Sequence, residues 1–169
     1  MVGFSADKAN WRTRIIRYAP LIFWVALVFY LSSGQGSMVQ TSRFIRPFLE
    51  WLFPLASGET LNVYHGYIRK SAHFFLYAAL AFWSWNAFRK SSIEYLKNYK
   101  YLFSLTIVLV IASIDETNQS FNQARTGTIY DVILDFSGGL AIIFIIYLYG
   151  KYLTRKNSLI YSKSTKIQT

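Results

Sequence analysis

Four long apolar stretches dominate the pattern of hydrophobic and polar positions along the chain. They cover about residues 15–31, 71–88, 101–119 and 129–149. Because a membrane span needs about 20 mainly apolar residues in a helix, each stretch predicts one transmembrane helix. The sequence shows no internal repeat and no low-complexity segment. The predicted fold is therefore all-α, a single polytopic membrane domain over residues 1–169 with four transmembrane helices, ending in a basic tail from residue 150.

Two of these stretches reach full length only if they include acidic residues. The third must continue past Asp115 and Glu116, and the fourth contains Asp131 and Asp135 close to its start. An ionisable side chain costs ~2.5 to 3.5 kcal/mol at the bilayer centre, and such residues usually face protein and serve a function. Half of the chain's eight carboxylates lie in this short region, which therefore predicts a polar site between helices.

The long first connection, residues 32–70, contains an amphipathic segment at residues 43–53. Arg43 and Arg46 recur at helical spacing among aromatic and aliphatic residues, a pattern typical of a helix lying in the membrane interface. Pro47 interrupts the segment, so a loop packed over the bundle is the alternative.

Composition narrows the class of protein. The chain has 53% hydrophobic and 19% aromatic residues, too many for a soluble domain of this size, and no cysteine. The absence of cysteine excludes disulfides, thiolate nucleophiles and Cys-ligated zinc. The net charge of +10 comes from residues at the edges of the apolar stretches. Anionic lipid headgroups explain that placement better than nucleic acid does.

The distribution of lysine and arginine predicts the orientation of the spans. The N-terminal segment, the second connection and the C-terminal tail hold 13 of the 18 basic residues. Since cytoplasmic flanks carry the excess, both termini are predicted to be cytoplasmic. The alternative is a cleaved signal peptide ending near Ser32-Ser33-Gly34, but the small-residue cleavage pattern is poor there.

With this orientation, the unusual polar residues gather on the outer side. Residues spaced three and four apart share a helix face, as Lys70, His73 and Tyr77 do, and these faces can point inward together. The candidate ligand-binding residues are Lys70, His73, Tyr77, Asp115, Glu116, Gln119, Arg125, Asp131 and Asp135.

The order of three motifs resembles the VanZ-like integral membrane proteins over about residues 15–149. The motifs are Lys70-x-x-His73-x-x-x-Tyr77, an acidic pair followed by Gln119, and Arg125-x-Gly-x-x-x-Asp131. The resemblance implies a small multi-pass protein of the bacterial inner (cytoplasmic) membrane. It also implies a link to low-level resistance against teicoplanin-type lipoglycopeptides, which some members confer. The family usually has Asn where this chain has Asp135, so this chain adds a negative charge there.

Several site residues also have a structural interpretation. Asp131 completes a Thr-x-x-Asp capping box at a helix start. Asp135 lies one turn beyond the cap and is expected to pair with Arg125, Lys70 or His73, a contact that can be purely structural.

The roles of the acidic pair and of the histidines stay open. Asp115 and Glu116 point about 100° apart on a helix, so they do not form a dyad by themselves; the family motif slightly favours Glu116. His73 is a candidate general base or hydrogen-bond donor, and His65 is expected on the mobile connection before the second span. A hard cation held by the four carboxylates is the alternative, but their spacing matches no ion loop. We therefore expect neither a metal nor a cofactor.

The functional hypothesis of first rank is binding of membrane lipids or a lipid-linked cell-wall precursor. Arg125 and Lys70 would hold an anionic group, although Lys70 and Arg69 at a span end also suit snorkelling to headgroups. The alternative is an enzyme that modifies a lipid headgroup, with His73 or Glu116 as the catalytic base. Transport is disfavoured because no broken-helix pair lies at the midplane.

Overall fold

The computed structural model of the protein describes residues 3–33, 38–120 and 128–165. Within these ranges the chain is entirely helical apart from short turns, so the predicted all-α class is confirmed. The helices are α1 (Gly3–Ser32), α2 (Met38–Leu52), α3 (Gly58–Arg89), α4 (Glu94–Asn98), α5 (Lys100–Ser120) and α6 (Ile129–Thr165).

Three of the described helices are long and apolar enough to cross a membrane. They are Trp11–Ser32 of α1, Lys100–Ser120 of α5 and Ile129–Ile160 of α6. The predicted count of four is not confirmed, because α3 has the length but is not among these three. A physical reason lies in its position, since α3 contacts α1, α2, α5 and α6 and is the central helix. Neighbouring helices cover much of α3, which allows it polar residues such as the buried Ser84.

The expectation that His65 lies on a mobile connection is wrong, because α3 begins ahead of this residue. The Ser57 hydroxyl accepts a hydrogen bond from the Thr60 amide at 3.3 Å and caps the helix, so α3 begins well before the predicted span. His65 therefore lies inside a helix and not on a mobile connection. Its side chain is only 3% exposed, and its Nε2 atom lies 3.0 Å from the Thr41 hydroxyl of α2.

The amphipathic segment of the first connection is a helix, α2, despite Pro47 inside it. The loop alternative is therefore wrong for this segment. Leu49 is buried and α2 packs against α3. Large apolar side chains at helical spacing stay exposed on its other side: Phe44, Phe48 and Trp51.

A close helix contact involves two adjacent glycines of α6. A Cβ atom at Gly138 would overlap the backbone carbonyl of Phe74 in α3, and one at Gly139 would lie 2.9 Å from a methyl group of Val108 in α5. Small residues permit such approach between membrane helices. The glycine pair therefore sets the spacing of α3, α5 and α6 around the buried core, whose members include Val28, Tyr77, Leu80, Val108 and Ala112.

Candidate functional site

The polar residues meet at one end of the bundle, where α1 and α5 finish and α6 begins beside the first half of α3. We call this the polar end. Its side chains come from elements far apart in the sequence, yet hydrogen bonds and ion pairs join them. The predicted convergence of the polar residues is therefore present for those that the structure describes.

Asp115 of α5 lies at the centre of the polar end and is 0% exposed. Its Oδ2 atom accepts three hydrogen bonds, from the Ser32 hydroxyl at 2.6 Å, the Tyr77 hydroxyl at 3.0 Å and the Gln119 amide at 3.0 Å. A buried carboxylate is costly unless donors compensate it, and these donors come from α1, α3 and α5. Its Oδ1 atom accepts no hydrogen bond from a described residue.

Asp135 of α6 is also 0% exposed, and it faces His73 of α3. The His73 Nδ1 atom lies 3.6 Å from Oδ1 of Asp135, close enough for ion pairing if the imidazole is protonated. Neither oxygen of Asp135 accepts a hydrogen bond from a described residue. Of the three expected partners for Asp135, the structure thus shows His73.

Glu116 points away from Asp115 and joins the end of α5 to the start of α6. Its Oε2 atom accepts a hydrogen bond from the Thr128 amide at 3.1 Å. The side chain is buried, and it contributes to the wall of a cavity. Both members of the acidic pair therefore belong to the polar end, each on its own face of α5.

The predicted capping box is only half formed at Asp131, because the Thr128 amide donates to Glu116 and not to the Asp131 carboxylate. The Asp131 amide donates to the Thr128 hydroxyl at 3.4 Å, and its Oδ2 atom accepts from that hydroxyl at 2.7 Å. Its Oδ1 atom also lies 3.4 Å from the Lys70 ammonium group, whose side chain is 62% exposed. Asp131 therefore combines the structural role with an ion pair to α3.

A cavity of about 560 Å³ opens among these side chains. Six predicted site residues contribute to its wall, while Tyr77 and Asp115 are not among the lining residues and Arg125 lies outside the described residues. The predicted residues in the wall are Lys70, His73, Glu116, Gln119, Asp131 and Asp135.

Sequence reasoning left several lining residues out of the site. Met38 and Gly66 line the cavity because α2 and the early turns of α3 border it, and neither residue carries a chemical signal that sequence could reveal. Tyr130 and Leu134 flank the predicted acids. Each directly precedes one of these acids in the sequence, and that adjacency was the only signal that could have predicted their place in the cavity wall.

The cavity has a mixed charge. Its described wall carries the cations Arg69 and Lys70, the imidazole of His73, and the carboxylates of Glu116, Asp131 and Asp135. Guanidinium and ammonium groups suit phosphate oxygens, while an imidazole beside a carboxylate suits proton transfer or metal binding. The site can therefore bind a polar group in an otherwise apolar bundle.

Comparison with known proteins identifies the family. The family model of VanZ/LLP1 matches residues 18–150. No curated protein matches the chain, and no solved structure does. The matched region contains α3, α5, and all of the polar end, and it covers well over half of the 169 residues. The chain is therefore a membrane protein that belongs to the VanZ/LLP1 family.

Proposed function

We propose that the polar end binds the headgroup of an anionic lipid or of a lipid-linked cell-wall component. The observation that carries this proposal is the cavity of about 560 Å³ whose wall contains ionisable side chains from α3, α5 and α6. Ionisable residues at membrane depth are costly, and they usually mark a site. A site of this size accommodates a phosphate-bearing headgroup.

Among the described residues, Lys70 is best suited to release its present partner, Asp131, and bind such a ligand. Its ion pair with Asp131 is solvent-exposed on the lysine side, and exposed pairs contribute only about 0 to 1 kcal/mol. A phosphate can therefore compete for the ammonium group. Arg69, which also lines the cavity, adds a planar donor group that favours two phosphate oxygens.

The position of α2 supports access from lipid. Met38 at its start lines the cavity, while the exposed Phe44, Phe48 and Trp51 form an apolar surface. We infer that α2 lies in the interface on the outer side of the cytoplasmic membrane, with this surface toward the acyl chains. Both chain termini are then cytoplasmic, in accord with the basic residues that flank the spans.

Lipids retained by the purified full-length protein test the binding proposal. Native mass spectrometry should find an anionic lipid on wild type and less of it on Lys70→Ala and Arg125→Ala. Lys97→Ala removes a lysine from α4, a helix that the structure places after the other end of α3, and should retain wild-type lipid. Loss of lipid from neither site variant contradicts the proposal.

We further propose that headgroup binding underlies low-level resistance to teicoplanin-type lipoglycopeptides. A protein that holds an envelope lipid or precursor changes surface composition or the access of an antibiotic that acts there. The VanZ/LLP1 membership of the chain supports this proposal, which depends on the polar end in the same way as lipid binding.

A membrane-embedded enzyme is the second candidate, and the His73–Asp135 contact favours it. An imidazole with a buried carboxylate 3.6 Å from its Nδ1 atom resembles a general base held by an orienting acid. Glu116 in the cavity wall is the alternative base. Purified protein incubated with a bacterial lipid extract should then yield a new product by mass spectrometry, and Glu116→Gln or His73→Gln should abolish it while retaining bound lipid. An unchanged extract contradicts the enzyme hypothesis.

A further inference from the structure

We propose that His73, Asp115 and Asp135 form a binding site for one divalent transition-metal cation. These residues differ from the group of four carboxylates that sequence spacing offers, because they include an imidazole and exclude Glu116 and Asp131. The site goes beyond headgroup binding and does not depend on it. Its basis is the geometry and burial of three side chains from three different helices.

The three side chains already converge. Each offers one donor atom, and these atoms all lie within 4.8 Å of one another. Donors around an ion at bond lengths of about 2.0 to 2.2 Å lie roughly 3 to 4 Å apart. An inward movement of about 1 Å, within the reach of side-chain rotation, therefore completes the three contacts.

The burial of the two carboxylates is only partly compensated, by three donors to one oxygen of Asp115 and by the His73 imidazole beside Asp135. Both are 0% exposed, and three of their four oxygens accept no hydrogen bond from a described residue. Among the described residues, no lysine or arginine forms an ion pair with either carboxylate, since Lys70 pairs with Asp131. Buried charges in proteins are normally paired or coordinate metals. The oxygens of Asp115 and Asp135 that accept no hydrogen bond, beside His73, are therefore where a cation is expected.

The hydrogen bonds of Asp115 suit a metal ligand. Three donors hold its Oδ2 atom, from Ser32, Tyr77 and Gln119, while its Oδ1 atom is left without a donor. Outer hydrogen bonds of this kind fix the orientation of ligating carboxylates. The arrangement holds the carboxylate in place and leaves one oxygen for an ion.

An ion can reach the site from the cavity, and it changes the charge of the cavity. His73 and Asp135 contribute to the cavity wall. With ionised acids and a neutral imidazole, the described wall has two cations and three carboxylates. The net charge of the wall is then negative, and a bound divalent ion makes it positive. A bound ion would thus favour an anionic ligand in the cavity.

The donor types indicate the class of ion. One imidazole nitrogen with two carboxylate oxygens suits Mn²⁺, Fe²⁺ or Zn²⁺ better than Mg²⁺ or Ca²⁺, which prefer oxygen ligands alone. We choose Mn²⁺ as the probe, because its electron paramagnetic resonance signal reports both the amount bound and the nature of the ligands. Zn²⁺ serves as a diamagnetic competitor.

Full-length protein, purified with a tag that contains no histidine and stripped with a chelator, should be titrated with MnCl₂. Wild type should bind one equivalent, which ZnCl₂ displaces, and the bound Mn²⁺ should show a coupling to one imidazole nitrogen. Asp135→Asn and His73→Gln should weaken binding at least about tenfold. Glu59→Gln removes an exposed carboxylate from the first turn of α3, outside the trio and the cavity wall, and should bind like wild type.

Either of two results overturns the proposal. One is the absence of saturable Mn²⁺ and Zn²⁺ binding to wild type, which means that a proton, and not a metal, compensates the buried carboxylates. The other is wild-type affinity in the Asp135→Asn and His73→Gln variants. The nitrogen coupling is measured on wild type and therefore shows whether an imidazole ligates the ion even where a variant does not fold. A result against metal binding leaves the lipid retained by Lys70→Ala and Arg125→Ala as a separate test of headgroup binding.

Discussion

The Tyr77 hydroxyl donates a 3.0 Å hydrogen bond to the Asp115 carboxylate, and neither side chain has any exposed surface. This contact joins α3 to α5 within the polar end. The hydrogen bond offsets part of the cost of placing the Asp115 carboxylate among membrane helices.

Tyr77→Phe should lower the free energy of unfolding by about 1.5 to 3 kcal/mol, the usual range for a lost hydrogen bond to a charged group. Thermal unfolding in detergent measures this change. The exposed Tyr149→Phe serves as the control and should stay within about 0.5 kcal/mol of wild type. Equal melting temperatures for the two variants contradict the assigned role of Tyr77.

Gly138→Ala should destabilise the protein by about 1 to 3 kcal/mol or more, because the new methyl group overlaps the Phe74 carbonyl and forces α6 away from α3. Unfolding in detergent with increasing dodecyl sulfate gives the comparison.

Gly150→Ala is the matched control in the same helix. Nothing lies within 4 Å of a Cβ atom there, and alanine favours the helix by about 0.5 to 1 kcal/mol. A loss of stability equal to that of Gly138→Ala would mean that the close packing at Gly138 is not what matters.

The contact between α2 and α3 should weaken at acid pH. Burial, and secondly the positive charge of Arg69, lowers the pKa of His65 below its ordinary value of 6.5. The folded state therefore favours the neutral imidazole, so its contribution to stability is present above about pH 6.5 and is lost as the pH falls below that value. Wild type should lose more thermal stability than His65→Gln when the pH is lowered from about 8 to about 5. Parallel losses in both proteins would show that another group titrates.

The absence of cysteine allows a direct test of orientation. Leu55 follows α2 and is 99% exposed, and Lys97 is an exposed residue of α4. A membrane-impermeant maleimide applied to intact cells should label Leu55→Cys and spare Lys97→Cys until the membrane is permeabilised. The reverse pattern would place the polar end on the cytoplasmic side.

How far the sequence predicts this fold depends on the element. The apolar pattern places α5 almost to the residue, because the run from residue 101 and the helical register to Gln119 act together. The start of α3 does not follow from hydrophobicity, because the Ser57 cap and contacts with α2 stabilise polar turns ahead of the apolar part. The number of spans is hard to predict for the same reason. Neighbouring helices cover α3, which therefore carries polar residues such as His73 and Ser84 and is less apolar than the other three helices.

The residues of the polar end were predictable from the sequence, but most of its contacts between different helices were not. Helical spacing puts Asp115 and Gln119 on one face, and their hydrogen bond is present. Spacing does not choose between Asp115 and Glu116, because the choice depends on which partners α1 and α6 bring. Both carboxylates accept hydrogen bonds in the structure, Asp115 from the Ser32 hydroxyl and Glu116 from the Thr128 amide. Such long-range contacts have no local signal.

The most direct test of the central claim, that the polar end is functional and not only structural, is teicoplanin susceptibility in a Gram-positive host. Wild type, Glu116→Gln and Lys97→Ala should be expressed to equal membrane levels. We expect wild type and Lys97→Ala to raise the minimum inhibitory concentration and Glu116→Gln to leave it at the level of the empty host. Protection by Glu116→Gln equal to that by wild type, or no protection by wild type, would contradict the account.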